Sequence, residues 1–315
     1  MAVTLAEAAL LSQTQLQRGV IETFVQESSI LDRIPMLTIQ GNAYAYNEEA
    51  TLPGVAFRAV NEAYTESTGT VNQKSEGLVI LGGDADVDKF IVRTRGDLND
   101  QRAVQTRMKV KAASYKFQDT FFNGDVAVDP KGFDGLKKRL VGAQVIDADT
   151  NGMGPVAAGH DFFDVLDAAI ARVPGINGTN GAIYANSGAI ARIKSSARRL
   201  GGVEMVREAL TQKMVATYNG IPLLDPGQTA AGADILPQTE TQGTAAGTAS
   251  SIYVVKFGQD EGDKAVTGLT NGGVQAYDLG ELQEKPAYRT RIEFYCGLAV
   301  FSGKAAARIR GVLNA

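Results

Sequence analysis

Chemically reactive side chains are scarce in this chain of 315 residues. Its single cysteine, Cys296, cannot form an internal disulfide, so nothing points to an oxidising compartment. Cys296 lies in the apolar run IEFYCGLAVF, where a buried and inert thiol is expected. The single histidine, His160, precedes an expected helix, and we interpret it as a capping or solvent-facing residue. The sequence thus offers little for nucleophilic or acid–base catalysis.

Long hydrophobic runs and an excess of one charge are also missing. The first residues, MAVTLAEAALLSQTQLQRG, have no basic start, and the apolar run at 8–11 is too short for a signal peptide or a membrane span. The 31 basic and 35 acidic residues leave a net charge of −4, which excludes a strongly basic nucleic-acid-binding protein. We therefore expect no membrane association.

Catalytic and nucleotide-binding motifs are absent as well. The sequence contains no G-x-S-x-G, H-E-x-x-H, Walker or G-x-G-x-x-G pattern. Asp147, Asp149 and Asn151 match the first half of a calcium-binding loop, but Ala158 replaces its bidentate carboxylate, so a plain turn is expected. The alternating aspartates at 84–88 are explained by a solvated hairpin edge. The sequence predicts no catalytic residue, no cofactor and no metal ligand.

Residues 97–125 are the most informative stretch that the sequence does contain. No proline or glycine interrupts DLNDQRAVQTRMKVKAASYKFQDTFFNGD before Gly124, and Asp97 or Asn99 can cap its start. The pattern predicts one helix of about 38 Å, at ~1.5 Å per residue. This is longer than a compact domain of ordinary size requires.

The predicted helix carries two apolar stripes. The first consists of Val104, Met108, Ala112, Tyr115 and Phe122. The second, about 150° away, consists of Ala103, Val110, Phe117 and Phe121. Two interpretations remain open: a central helix inside one globular core, or a spine covered by its own subunit on one side and by a neighbouring subunit on the other.

The residues before the helix favour the neighbouring subunit. Residues 38–95 alternate as in strands, and Gly, Asn and Asp clusters separate the runs, which predicts a long hairpin. A lone two-stranded hairpin is only marginally stable in water, and this segment has too few large apolar side chains to close a core. It must therefore lie on something else.

The remaining chain predicts mixed elements. A capping box at Thr4 and Glu7 begins a first helix, and a second helix starts at Val20. Further expected elements are helices at 161–172 and 187–200, a buried strand at 182–185, a long exposed loop at 227–250, final strands, and a short basic helix at 304–310.

Six short runs follow one another along nearly the whole chain. They are FFNGD (121–125), FDGLKKRL (133–140), HDFFDVLDAAI (160–170), AIYANSGAIARIKS (182–195), YNGIPLLDPG (218–227) and YRTRIEFYCGLAVFSGKAAARI (288–309). Their order and spacing, together with the hairpin and the long helix, resemble the major capsid proteins of tailed double-stranded DNA phages of the Hong Kong 97 type.

The resemblance implies an α+β, Hong Kong 97-like capsid fold. Its expected parts are an N-terminal arm (1–37), an extended β-hairpin loop with peripheral strands (38–95), the spine helix of the peripheral domain (96–125), an axial domain (126–285), and returning peripheral strands with a C-terminal helix (286–315). The implied function is a non-enzymatic subunit that assembles with itself into hexamers and pentamers of an icosahedral shell around DNA. An encapsulin-type nanocompartment shell is the alternative within the fold, and a soluble α/β enzyme or binding module is the alternative of another class.

The resemblance also implies roles for particular residues. Contacts between subunits are expected from Tyr44, Tyr46, Val55, Phe57, Tyr64, Val110, Phe117 and Phe121. Because the spine lies toward the inside of such shells, Arg102, Lys109 and Lys116 are possible DNA-facing residues. The alternative for these three is pairing with carboxylates such as Asp100 or Asp119, or simple hydration.

Further implied partners are the portal and scaffolding proteins and packaged double-stranded DNA, held by weak non-specific contact. The implied location is the virion, assembled in the host bacterial cytoplasm. Family members often begin with a cleaved scaffolding segment, whereas the arm here begins at Thr4, so a separate scaffolding protein or none is expected.

Some members cross-link through a hairpin lysine. Lys74 is the candidate position here, but no partner aligns with it, so this chemistry is not carried over.

Overall fold

The computed structural model describes residues 19–20, 23–24, 28–95, 101–148, 159–200, 204–207, 214–242 and 245–313. Within these residues the chain forms two sheets with helices packed on them, and a separate two-stranded hairpin. The capping box at Thr4 and Glu7, the helix caps at Asp97 and Asn99, and the calcium-like residues 149–152 lie outside the described residues. No described helix is both long enough and apolar enough to cross a membrane.

The elements follow one another in a mixed order along the chain. The helices are α1 (Lys89–Arg95), α2 (Gln101–Asn123), α3 (Leu136–Arg139), α4 (Gly159–Ala171) and α5 (Ser187–Leu200), with 3-10 turns at Gly142–Gln144 and Glu261–Asp263. The strands are β1 (Met36–Thr38), β2 (Ala43–Thr51), β3 (Thr70–Gly77), β4 (Val79–Asp88), β5 (Val145–Asp147), β6 (Gly181–Tyr184), β7 (Glu204–Arg207), β8 (Met214–Tyr218), β9 (Ile221–Leu224), β10 (Glu240–Gln242), β11 (Ala245–Lys256), β12 (Val266–Glu281), β13 (Ala287–Val300) and β14 (Ala306–Leu313).

The long helix α2, called the spine helix below, confirms the helix expected from the sequence and spans 23 residues. It ends at Gly124 because the backbone of another segment comes very close there. A Cβ atom added to Gly124 would lie 2.3 Å from the carbonyl oxygen of Phe133 and 2.5 Å from that of Thr120. Glycine is therefore required at this helix end by close packing.

A peripheral sheet of strand order β1-β12-β13-β4 packs against the spine helix. Phe294 on β13 contacts Phe24 of the N-terminal arm and Phe117 of the spine helix, with ring centroids 5.4 Å and 5.8 Å away. Strand β12 belongs to this sheet, although the sequence-based division placed residues up to 285 in the axial domain. That division is wrong for β12, because β12 forms a hairpin with the returning strand β13 and also pairs with β1, where Met36 lies opposite Gly268. The other expected domain boundaries stay predictions.

An axial sheet of strand order β5-β14-β11-β6-β9-β8-β7, with β10 paired to β11, forms the second layer. Helices α4 and α5 pack on one face through a shared apolar core. The end of the spine helix packs on the other face, where the Phe122 ring centroid lies 5.4 Å from that of Tyr184 and 5.0 Å from that of Tyr253. The central strands are therefore covered on both faces.

Two expectations for the later chain are wrong. Residues 304–310 were expected to form a basic helix, but β14 occupies this region and pairs with both β11 and β5. The segment 227–250 was expected to be an exposed loop, but Ile235 and Leu236 are buried and β11 begins at Ala245. In both places tertiary pairing overrides local composition.

Candidate assembly surfaces

The hairpin of β2 and β3 extends beyond the region in which it has packing partners. Its ladder runs from Ala43 opposite Gly77 to Thr51 opposite Thr70, and residues 52–69 form its tip. Large apolar side chains of the tip are exposed, namely Leu52 (78%), Val55 (99%), Phe57 (107%), Val60 (89%) and Tyr64 (69%). The tip is ordered by local contacts, such as the Ser67 hydroxyl donating to the Gly54 carbonyl at 2.9 Å. The exposure of Val55, Phe57 and Tyr64 is compatible with their expected role in contacts between subunits.

The base of the hairpin, in contrast, is anchored to its own chain. Tyr46 is 2% exposed, and its hydroxyl donates to the Val300 carbonyl at 3.0 Å. The Tyr44 hydroxyl donates to Glu261 Oε1 at 2.7 Å, and burial together with this carboxylate raises the pKa of Tyr44 to about 12. Both rings pack on Phe301, with centroids 6.2 Å (Tyr44) and 5.0 Å (Tyr46) away.

The expectation that Tyr46 contacts a neighbour is therefore wrong, and Tyr44 is engaged within its own chain. The alternation of the two tyrosines correctly indicated one shared face of a strand. It could not indicate that this face packs on a turn near residue 301, because that contact spans most of the chain.

Charged groups complete the anchor and were missed by the sequence interpretation. Arg139 on α3 binds both carboxylate oxygens of Glu76, at 2.5 Å and 2.7 Å. On the other strand, Glu48 pairs with Lys74 at 2.6 Å and accepts the backbone N–H of Gly303 at 2.9 Å. Glu48 and Glu76 both lie on a polar hairpin, where the sequence predicts ordinary solvated carboxylates. Only their tertiary partners set them apart.

The spine helix buries the three large residues of its second apolar stripe and exposes part of the first stripe. Val110 is 1% exposed, and Phe117 and Phe121 are 0% exposed within the chain's main core. Their predicted contact with a neighbouring subunit is therefore wrong. Val104 (38%) and Met108 (61%), from the first stripe, are exposed. Sequence periodicity revealed both stripes, but it could not tell which of them faces the core.

The basic residues of the spine helix lie in three different environments. Arg102 pairs with Asp278 at 2.6 Å and lies over the Tyr288 ring, 5.0 Å from its centroid. The Lys109 side chain packs across β4. A Cβ atom added to Gly83 would lie 2.9 Å from the Cε atom of Lys109. Lys116 is exposed. Arg102 thus forms the carboxylate pair that was the alternative to a DNA contact, although with Asp278 rather than Asp100 or Asp119.

The outer face of the peripheral sheet carries a ladder of ion pairs. Arg289 binds both oxygens of Asp86 at 2.7 Å each, and Arg291 binds those of Asp84 at 2.8 Å and 3.0 Å. Lys285 also reaches Asp86, at 2.5 Å. The hydrogen bonds from these arginines hold the pKa of both aspartates below its usual range. The aspartates were expected on a solvated hairpin edge, but they lie on edge strand β4 of the peripheral sheet and pair with arginines of β13. The matching D-x-D and R-x-R alternation was the available signal for this pairing.

The two groups considered for catalysis are Cys296 and His160. Cys296 is buried, and burial raises the pKa of its thiol far above the ordinary value. His160 lies in the first turn of α4. Within the described residues, no cluster of three or more His, Cys, Asp or Glu side chains could hold a metal ion.

Comparisons with known proteins give a family match to part of the chain and a shared fold over nearly all of it. Residues 12–154 match the family model described as major capsid protein GP7. No curated protein is significantly similar in sequence. Among solved structures, the SrpI encapsulin of Synechococcus elongatus is 17% identical with a TM-score of 0.66, covering 100% of this chain and 97% of its own.

Viral and virus-like shells show the same likeness. The capsid of a native GTA particle is 12% identical with a TM-score of 0.62, covering 91% of this chain and 90% of its own. A structure from Microbacterium phage Oxtober96 is 14% identical with a TM-score of 0.56, covering 90% of each chain. These likenesses confirm the expected α+β, Hong Kong 97-like fold. The chain therefore has the Hong Kong 97-like fold over nearly its whole length, and its residues 12–154 are similar to major capsid protein GP7.

Proposed function

We propose that this subunit forms the hexamers and pentamers of an icosahedral bacteriophage capsid, and that this capsid encloses a double-stranded DNA genome. The observation that carries the proposal is the hairpin tip, whose large apolar side chains are exposed on a segment without a core. A large exposed apolar patch on a protein surface marks a site of interaction with another molecule. A second copy of the chain is the occupant that the fold favours.

The exposed part of the spine region supplies a surface for that tip. Val104 and Met108 are exposed on the spine helix, and Phe90 (73%) and Ile91 (42%) are exposed on the adjoining helix α1. We infer that the tip of one subunit covers this surface on the next. The contact is heterologous, and its repetition generates a closed ring when the rotation between successive copies closes.

Packaged DNA is a further proposed partner. Arg102 and Lys109 are engaged with the peripheral sheet, which leaves Lys116 as the basic residue of the predicted stripe that best suits a weak phosphate contact. The net charge of −4 agrees with a shell that encloses DNA without binding it tightly. Portal and scaffolding proteins, and assembly in the host bacterial cytoplasm, belong to the same proposal.

An encapsulin-type shell that encloses cargo proteins is the second candidate, because the SrpI encapsulin shares the fold over the entire chain.

Expression of the full chain, followed by negative-stain imaging and measurement of nuclease-protected DNA, tests both the phage-capsid and the encapsulin proposal. Rings of five and six and closed shells are expected. Virions that contain this subunit and protected DNA support the phage capsid. Shells that retain a co-expressed enzyme and no DNA support the encapsulin, and a stable monomer excludes both.

A further inference from the structure

The hairpin tip, residues 52–69, is closed at its neck by short-range polar contacts. At the last ladder pair, Thr51 opposite Thr70, the two hydroxyl oxygens lie 2.6 Å apart. Further along, the Ser67 hydroxyl donates to the Gly54 carbonyl. Every residue of the tip is exposed, so no apolar core holds this segment together. Its conformation therefore depends on polar contacts within the tip.

A second set of contacts forms a compact turn in the middle of the tip. The Glu62 carboxylate accepts the backbone N–H of Ala59 at 2.9 Å, and the Glu62 N–H donates to the Ala59 carbonyl at 3.3 Å. Nη1 of Arg58 donates to the Glu62 carbonyl at 3.2 Å, and the guanidinium lies over the Tyr64 ring, 5.2 Å from its centroid. Asn61 has a positive φ of 68°, which asparagine adopts more readily than most residues. All of these contacts lie within the tip.

The contacts of the turn affect the shape of the tip more than the stability of the fold. Hydrogen bonds and cation–π contacts between exposed groups are individually weak, and those named here join no element of the two sheets. They do order the backbone that carries Phe57 and Val60, two of the most exposed apolar side chains of the tip. A loop that is already ordered loses less conformational entropy when it binds a partner.

We propose that Arg58 and Glu62 are positioning residues, which keep the tip in its binding conformation in the free subunit and thereby set the rate at which subunits join. The inference rests on the proposed function, in which the tip binds a second copy of the chain. When only a fraction of the free tips has the binding conformation, the apparent affinity falls by that fraction. Every junction of a ring contains one tip, so the loss is repeated at each junction.

A matched pair of substitutions tests the role of the turn. Glu62→Ala and Glu66→Ala both remove a carboxylate from the exposed tip, but Glu66 takes part in none of the contacts of the turn. Glu62→Ala and Arg58→Ala are expected to assemble about tenfold more slowly than the wild type, because few of their free tips have the binding conformation. Glu66→Ala is expected to assemble like the wild type. All three should keep the wild-type melting temperature, and amide exchange at Ala59 in the unassembled subunit should accelerate only in the first two.

A disulfide across the neck distinguishes positioning from direct contact with the neighbour. A Cβ atom added to Gly54 would lie 3.9 Å from the Cβ atom of Ser67, and disulfides join Cβ atoms about 3.5–4.5 Å apart. The variant Gly54→Cys/Ser67→Cys can therefore be oxidised to enclose the turn in a covalent loop, whereas the buried Cys296 stays out of this reaction. Closing the loop removes disordered conformations of the free tip. Oxidation is therefore expected to return Glu62→Ala, made in this background, to within about threefold of the wild-type assembly rate, and reduction should slow it again.

The outcomes separate this inference from the proposed function. If Glu62→Ala assembles as slowly after oxidation as before it, Glu62 acts by touching the neighbour, and the positioning role is wrong. The role is also wrong if Glu62→Ala assembles as fast as Glu66→Ala. In both cases the wild-type chain still assembles, so the shell function stands. If the wild-type chain forms neither rings nor shells, the proposed function fails, and the positioning role fails with it.

Discussion

Arg139 and Glu76 form two parallel hydrogen bonds, at 2.5 Å and 2.7 Å, that join the hairpin to the segment following the spine helix. Their side chains are only 16% and 18% exposed. The Tyr46 hydroxyl lies 3.4 Å from the same carboxylate, and burial beside it raises the pKa of Tyr46 to about 12. This anchor sets the direction in which the hairpin leaves the subunit. Its tip is thereby oriented before any neighbour binds, which lowers the entropy cost of assembly.

Removing one partner of this pair is predicted to destabilise the hairpin. Arg139→Leu leaves the Glu76 carboxylate largely buried and unpaired, which is expected to cost about 2–4 kcal/mol of unfolding free energy. Lys138→Leu is the control, because its pair with Asp125 at 3.0 Å is exposed and contributes little to stability. Denaturant titration measures both, and amide exchange at residues 43–46 should accelerate only in Arg139→Leu. Equal effects of the two substitutions would rule out the anchor.

The two stripes of the spine helix are predicted to respond differently to truncation. Phe117→Ala opens a cavity in the main core and is expected to cost about 3–5 kcal/mol of stability. Met108→Ala, at a side chain 61% exposed, is expected to cost less than about 1 kcal/mol and to slow shell formation. Thermal denaturation and light scattering of assembly separate the two effects. Normal assembly of Met108→Ala would show that this surface stays uncovered in the shell.

The hairpin tip is predicted to matter for assembly and not for folding. Val55→Ser with Phe57→Ser replaces side chains that are 99% and 107% exposed, so the melting temperature should not change. Capsomers should become unstable, because the apolar area that a neighbour buries is lost. Val128→Ser, at 83% exposure outside the hairpin, is the matched control. Wild-type assembly of the double variant would contradict the role given to the tip.

The sequence revealed the elements with strong local signals and missed those set by distant pairing. The spine helix, α5 and the buried strand β6 lie close to where periodicity predicted them. The end of the chain does not form the helix that its local sequence favours. Alanine-rich residues near 305 favour a helix, yet Ala306 and Ala307 are 0% exposed in β14. Small residues fit there because this strand lies between two others and is covered on both faces.

Exposure of the residues expected to contact a neighbour could be predicted only in part. Val55, Phe57 and Tyr64 are exposed, whereas Val110 and Phe117 are buried. An apolar residue that contacts a neighbouring subunit and one that fills its own core give the same pattern in the sequence. Only the packing of the arm and the peripheral sheet on the spine helix distinguishes the two.

Cys296 is predicted to be unreactive in the folded subunit. It is 1% exposed, and burial raises the pKa of its thiol, so little thiolate is available to attack a disulfide reagent. Native protein should react with a thiol-specific reagent only as fast as it unfolds, and denatured protein should react at once. Rapid labelling of native capsomers would show that β13 opens locally.

The ion-pair ladder on the peripheral sheet is predicted to make the subunit sensitive to acid. Hydrogen bonds from Arg289 and Arg291 lower the pKa of Asp86 and Asp84 below the ordinary value of 3.8. A carboxyl whose folded pKa is depressed stabilises the fold above its unfolded pKa, and this stability is lost as the pH falls through the folded pKa. The variant Asp84→Asn/Asp86→Asn should therefore melt below the wild type at pH 7, and the difference should shrink below about pH 4. Asp129→Asn, in an exposed loop, is the control and should change little at either pH. A melting difference that persists unchanged at low pH would mean that packing, and not ionisation of the two aspartates, holds the edge strand in place.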